Sequence, residues 1–291
     1  MLSCFSYFIF CIVFLYNFSV IRALFSVVIK KAIKGKPLES SPMKKILIAA
    51  SCALAMLTGS VQAEDSIRIA FDVPYEPFEY KDENGELTGF EVELAEAMCE
   101  EMNAKCEFVI QAWDGMIPGL LARKFDAIMS SMSVTPERAE RVLFSKPYYN
   151  TPGGWFAAEG FDIDVTDMDA MKDKSVGVQR GTTMDTFVTE NMTGVVNIKR
   201  YNTADDMVLD LEGQRLDVVF VDYPVGEQTI KNKDGFIEIG ESVKLGEGVG
   251  VAMRKRDTDL AERVNKALDT LKENGTYDAI MKKYFAYDIK V

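Results

Sequence analysis

The stretch DAIMSSMSVTPER, residues 126–138, decides how this chain is read. A short apolar run, Ala127-Ile128-Met129, stops abruptly in the hydroxyls of Ser130, Ser131 and Ser133. A run of this length bounded by polar residues reads as a buried strand. Thr135-Pro136 then opens a helix. Threonine caps it, and proline suits the first helical position, whose N–H has no partner inside the helix. Arg138 falls in the first turn, where a cation faces the positive end of the helix dipole. A carboxylate arriving there reverses the sign, because guanidinium and helix N–H groups then point at one anion. The plainer alternative is a capped surface helix whose arginine bends into water.

Outward from this unit, strands and helices alternate, which predicts an α/β architecture. Before it come a strand at 66–72, a turn at Asn84-Gly85, a helix at 90–102, a strand at 106–110 and a short helix at 116–123. At Pro152-Gly153-Gly154 the pattern pauses, and these residues read as a connection. A second series follows, with strands at 175–178, 195–201, 217–221, 236–239 and 251–254. Helices are expected at 183–190, after Thr203, after Pro224 and at 258–274, with a last one ending near Tyr284. Two α/β blocks joined by two passages would let the chain leave one lobe, build another and return.

Histidine is absent from all 291 residues. Ser–His–Asp and Cys–His catalysis are therefore excluded, as are zinc sites that use histidine. Met43-Lys44-Lys45, the apolar run 46–59 and Val61-Gln62-Ala63 have the layout of a secretory signal peptide at 43–63, which starts the mature chain at Glu64. Residues 1–42 include an apolar run at 5–29, long enough to span a bilayer. A membrane helix directly ahead of a complete signal peptide makes little sense, so the expectation is a start assigned too far upstream. A membrane segment is the alternative. Of 33 Lys and Arg and 45 Asp and Glu, seven and one precede residue 64, leaving 26 against 44 in residues 64–291. A protein so acidic is not expected to bind nucleic acid through a basic face.

Three of the five cysteines (Cys4, Cys11 and Cys52) lie in the leader region. Two cysteines alone cannot hold a zinc ion, and no metal or cofactor is expected. On one unbroken helix Cys99 and Cys106 would be separated by about 10.5 Å of rise, too far for a bridge. A break near Asn103 lets the second fold back. In an oxidising compartment a bridge is the expectation, with two buried thiols the alternative.

Polar residues collect at strand ends. Asp72 closes the first strand, with Tyr75 just beyond; Trp113 follows another; Ser130, Ser131 and Ser133 a third; Thr182 and Thr183 a fourth; Asp222 a fifth. Ligands of open α/β sheets lie beyond such carboxyl ends. Each has a bland reading: a capped turn for Asp72, a core side chain for Trp113, a helix cap for Thr182 or Thr183, and an oriented helix start for Asp222. Their joint placement favours a site.

The stretches IRIAFDVPYEPFEY (67–80), GELTGFEVELAEAMCEEMNAKCEF (85–108), 113–138, VGVQRGTT (176–183), RLDVVFVD (215–222) and NGTYDAIMKKYFAYD (274–288) together resemble one family. It is that of the periplasmic polar amino-acid-binding proteins of ABC importers, with lysine/arginine/ornithine-, histidine-, glutamine- and opine-binding members. The resemblance implies a bilobal periplasmic-binding-protein fold with two α/β lobes on a two-strand hinge, residues 64–151 and 251–291 in lobe 1 and 152–250 in lobe 2. It implies that Arg138, with Ser133 and the Thr182–Thr183 turn, holds a ligand carboxylate, while Asp222 and Ser131 hold its ammonium. Tyr75 and Trp113 would clamp the side chain, Asp72 and Ser130 would face its far end, and Cys99 and Cys106 would form a disulfide. The implied partners are a polar, preferentially basic, amino acid (arginine, lysine, ornithine, histidine or glutamine) or an opine, and a membrane permease. The implied place is the periplasm, and the implied state a monomer that is not an enzyme. Arg180 would disfavour a cationic side chain if it pointed inward. A periplasmic cyclohexadienyl-type dehydratase on the same fold is the competing reading, and it needs a carboxylic acid as general acid. A sensor domain fused to a signalling chain is less favoured, since the sequence ends at Val291.

Overall fold

The computed structural model describes residues 66–291. The signal peptide at 43–63, the segment 1–42 and the cleavage point at Glu64 lie outside the described residues. In chain order the first elements are β1 (Ser66–Phe71), the hairpin β2 (Tyr80–Lys81) and β3 (Leu87–Thr88), α1 (Phe90–Glu101), β4 (Lys105–Ile110), α2 (Met116–Leu121), β5 (Ala127–Ile128), α3 (Pro136–Arg141) and β6 (Val142–Phe144). There follow β7 (Gly153–Ala158), β8 (Ser175–Gln179), α4 (Thr183–Met192), β9 (Asn197–Tyr201), α5 (Ala204–Glu212), β10 (Val218–Asp222) and β11 (Phe236–Val243). The chain ends with β12 (Ala252–Arg254), α6 (Thr258–Glu273) and α7 (Thr276–Tyr284).

The strands form two five-stranded sheets, ordered β4-β1-β5-β12-β6 and β11-β7-β10-β8-β9. In the first, β1 runs parallel to β4 and β5, and β12 runs antiparallel to β5 and β6. In the second, β8 runs parallel to β9 and β10, and β7 runs antiparallel to β10 and β11. The chain passes from the first sheet to the second between β6 and β7 and returns between β11 and β12. The two passages touch where Tyr149 bridges to Val249. This is the bilobal α/β fold that the resemblance implies.

Side-chain alternation explains the layers. Ile67, Ile69 and Phe71 of β1 bury one face with Leu94 and Met98 of α1 and Val264 and Leu268 of α6. Ala70, on the other face, packs with Met116 and Leu120 of α2. Every residue of β10, VVFVD, is buried, as a central strand covered on both faces requires.

Three sequence expectations need correction. Gly153 and Gly154 do not form a connection; they open β7. A Cβ on Gly153 would meet the Phe220 ring at 2.6 Å, and one on Gly154 would meet the Phe156 ring at 2.9 Å. The glycines make room for aromatic rings beside a strand rather than breaking it. The helix expected after Pro224 is only the turn Tyr223–Gly226 followed by one wider turn, Glu227–Lys231. The strand expected to stop at Ile239 runs on to Val243, through an irregularity in its pairing.

Candidate functional site

A cavity walled mainly by polar side chains lies where strand ends of both sheets meet. It is lined by all the residues singled out in the sequence: Asp72, Tyr75, Trp113, Ser130, Ser131, Ser133 and Arg138 from the first half, Thr182, Thr183 and Asp222 from the second. Glu79, Gln179 and Met184 complete the lining.

Arg138 stands on α3 as the sequence predicts. Thr135 caps the helix, accepting a hydrogen bond from the Arg138 amide at 3.3 Å, and Pro136 takes the first position. The half-buried guanidinium donates to the carbonyl of Ser133 at 3.0 Å and, across the cavity, to that of Gly181 at 3.3 Å. It lies over the Trp113 ring, 5.2 Å from its centre, within cation–π range. Burial lowers its pKa to about 10, so it remains charged at neutral pH. A guanidinium has five N–H donors, and these contacts leave some for a carboxylate.

Asp222, at the end of β10, faces this cation from the other sheet. Its carboxylate accepts from the Tyr75 hydroxyl at 2.5 Å and the Thr151 hydroxyl at 3.0 Å. Burial nevertheless raises it to about 6. A carboxylate with two donors and no paired cation is suited to receive an ammonium group.

The far end of the cavity is acidic. Asp72 follows β1; its amide donates to Ser130 Oγ at 2.8 Å, and its carboxylate accepts from Gln179 Nε2 at 2.7 Å. Burial raises Asp72 to about 6 as well. Ser130 Oγ in turn donates to Glu79 at 2.5 Å. Behind Ser131 lies Glu91, fully buried in the first turn of α1. It accepts from the Ser131 amide at 2.7 Å and from the Tyr148 hydroxyl. Ser131 has φ of 48°, in the left-handed region that serine seldom adopts, and Tyr149 donates to its hydroxyl at 2.8 Å.

Not every candidate is free for a ligand. The Thr182 hydroxyl caps α4, accepting from the Asp185 amide, and donates to the Gln179 carbonyl at 2.8 Å. The Thr183 hydroxyl rests against Met184 Sδ. Trp113 is not a core residue; its indole N–H donates across the cavity to the Gly181 carbonyl at 3.1 Å. Arg180 is exposed and absent from the cavity wall. Cys99 and Cys106 form a disulfide with Cα atoms 6.1 Å apart, and the chain turns back at Asn103, which has a φ of 49°.

Sequence reasoning missed Glu79, Glu91 and Gln179. Glu91 reads as an acid placed for the helix dipole, and Glu79 as the polar side of a short strand. The one available clue was the flanking of both by aromatic and apolar residues that must be buried.

Among the described residues no group of acids and cysteines is placed to hold a metal ion, and no helix is long and apolar enough to cross a membrane.

Two α/β lobes that share one cavity, each supplying polar strand-end residues, define a solute-binding protein. The model of the bacterial extracellular solute-binding proteins, family 3, matches residues 67–287, and the chain belongs to that family. It is 38% identical over 262 residues to the L-arginine-binding protein of Pseudomonas aeruginosa, covering 85% of this chain and 98% of that one. It is 35% identical over 261 residues to the histidine-binding periplasmic protein of Escherichia coli K12, covering 85% and 99%. Among solved structures, an ancestral arginine-binding protein bound to arginine superposes with a TM-score of 0.72 at 33% identity, covering 76% of this chain and 98% of that one. The protein is thus a solute-binding protein, and these relatives are amino-acid-binding proteins rather than enzymes. The dehydratase reading is not favoured.

Proposed function

We propose that the protein captures a basic L-amino acid, arginine foremost, in the periplasm and presents it to an ABC permease. Residues 64–151 with 251–291 act as one jaw and 152–250 as the other, and the chain is exported by the signal peptide at 43–63. The ligand carboxylate goes to Arg138 and its ammonium to Asp222. The side chain passes between Tyr75 and Trp113 towards Asp72, Ser130 and Glu79. One observation carries this reading: the cavity wall carries one cation, Arg138, and three carboxyl groups, Asp222, Asp72 and Glu79. A dehydrated zwitterion needs both of its charges matched, and a cationic side chain needs the additional acids. Arg180, the cation that would oppose a basic side chain or bind an opine's extra carboxylate, is exposed. The arginine- and histidine-binding relatives support the same class of ligand.

A thermal-shift screen of the common amino acids and opines tests this. Arginine at a hundred times its dissociation constant should stabilise the protein by about 2.7 kcal/mol. Arg138→Ala and Asp222→Ala should each abolish that shift. A shift retained in either variant, or produced by opines alone, would contradict the proposal.

A further inference from the structure

Asp72 and Glu79 both line the cavity, Glu91 lies behind Ser131, and no ion pair to a protein cation reaches Glu79 among the described residues. Glu79 and Glu91 are both fully buried, and the charge of Glu91 opposes ionisation of Glu79. Glu91 is well supplied with donors: the Ser131 amide at 2.7 Å, the Ser131 hydroxyl at 3.2 Å and the Tyr148 hydroxyl. Glu79 has one, the Ser130 hydroxyl at 2.5 Å, and its Oε2 is buried without any donor. Two carboxyl groups side by side in apolar surroundings do not both ionise. The donor set assigns the charge to Glu91. The proton belongs on Glu79, whose Oε2 has no donor to stabilise a charge. The other titratable groups facing Glu79 are Asp72 beyond β1, Tyr75, and Tyr148 and Tyr149 ahead of β7, with Asp222 behind Tyr75. None of them brings a positive charge to it. Burial and the adjacent Glu91 push Glu79 well above the usual carboxylate range.

We infer that Glu79 is a specificity-determining residue that works by proton exchange: the cationic end of a ligand side chain displaces its proton, whereas a neutral amide leaves it in place. A guanidinium brings a fixed positive charge and several N–H donors. Beside Asp72 and Glu79 it makes ionised Glu79 the favoured form, and the released proton passes to the buffer. A neutral ligand gives no such compensation, so the acid stays protonated and can itself donate to a carbonyl oxygen. The same wall therefore accepts either chemistry, and only the cation changes its protonation.

This inference rests on the proposed basic ligand, and one calorimetric experiment separates the two. L-arginine is titrated into the wild-type protein at pH 7.5 in phosphate and in Tris, two buffers with very different protonation enthalpies. At that pH carboxyls near 6, such as Asp72 and Asp222, are already ionised and contribute little. The expected result is a difference in heat corresponding to release of about one proton per arginine. In Glu79→Gln, arginine should bind more weakly with equal heats in both buffers, and L-glutamine should give equal heats with the wild type. Arginine binding with buffer-independent heat overturns the proton exchange and leaves the ligand assignment standing. Release that persists in Glu79→Gln moves its source elsewhere and overturns the role of Glu79. Absence of any arginine binding overturns both readings.

Discussion

Burial holds the carboxyl of Asp72 near pH 6, although Gln179 and a backbone amide donate to it. Its folded pKa therefore lies above that of the unfolded chain. Below about pH 4 the group is protonated in both states and opposes nothing; between about pH 4 and 6 the unfolded chain releases this proton while the folded protein keeps it, so stability falls across that window and levels off above it. Asp72→Asn should then stabilise the protein without ligand by about 2 kcal/mol at pH 7.5, with the gain vanishing near pH 4. The same change should sharply reduce stabilisation by arginine. Urea unfolding at the two pH values checks both; a gain independent of pH would show that packing, not ionisation, is responsible. Asp72, Ser130, Arg138 and Asp222 were legible in the sequence because each follows an apolar strand or opens a helix. Gln179 was not, since its amide acquires meaning only from Asp72, 107 positions away.

The short helix α3 depends on its cap. It has only six residues, and the Thr135 hydroxyl meets the amide of Arg138, the residue that would hold the carboxylate. Thr135→Ala should cost about 1 kcal/mol of stability. It should also weaken arginine binding, because a frayed first turn no longer aims the guanidinium. Calorimetry on this variant and on Thr203→Ala, which uncaps α5 away from the cavity, distinguishes the two effects: only the first should change affinity. The disulfide joining the end of α1 to the start of β4 has the opposite profile. It closes a short loop at the edge of the first sheet remote from the strand carboxyl ends. Reduction should cost about 2.5 kcal/mol of stability and leave arginine affinity unchanged. Periodicity and caps made the long elements readable. The opening of β7 was not, because Gly153 and Gly154 look like loop residues until the rings of Phe220 and Phe156 occupy the space above them.

At the scale of the molecule, hydrogen bonds among the cavity's residues join the two halves of the fold. Tyr75 reaches Asp222, Gln179 reaches Asp72, and Trp113 and Arg138 both reach the Gly181 carbonyl. The bilobal plan could be anticipated from the two α/β series and the family resemblance. These contacts could not, since Tyr75 and Asp222 lie 147 positions apart. They bear on closure, because each is lost when the jaws separate, and a ligand can only shift that equilibrium by its preference for one state. Trp113 provides the cleanest test. Phenylalanine keeps a ring beneath Arg138 but lacks the N–H that meets Gly181. Losing one hydrogen bond of about 1 kcal/mol should favour the open form and lower apparent arginine affinity up to about fivefold. Small-angle scattering should then give a larger radius of gyration for Trp113→Phe than for wild type without arginine, and the same radius for both at saturation. If the radii already agree without arginine while affinity falls, the indole acts on the ligand directly and the crossing bond has no part in closure.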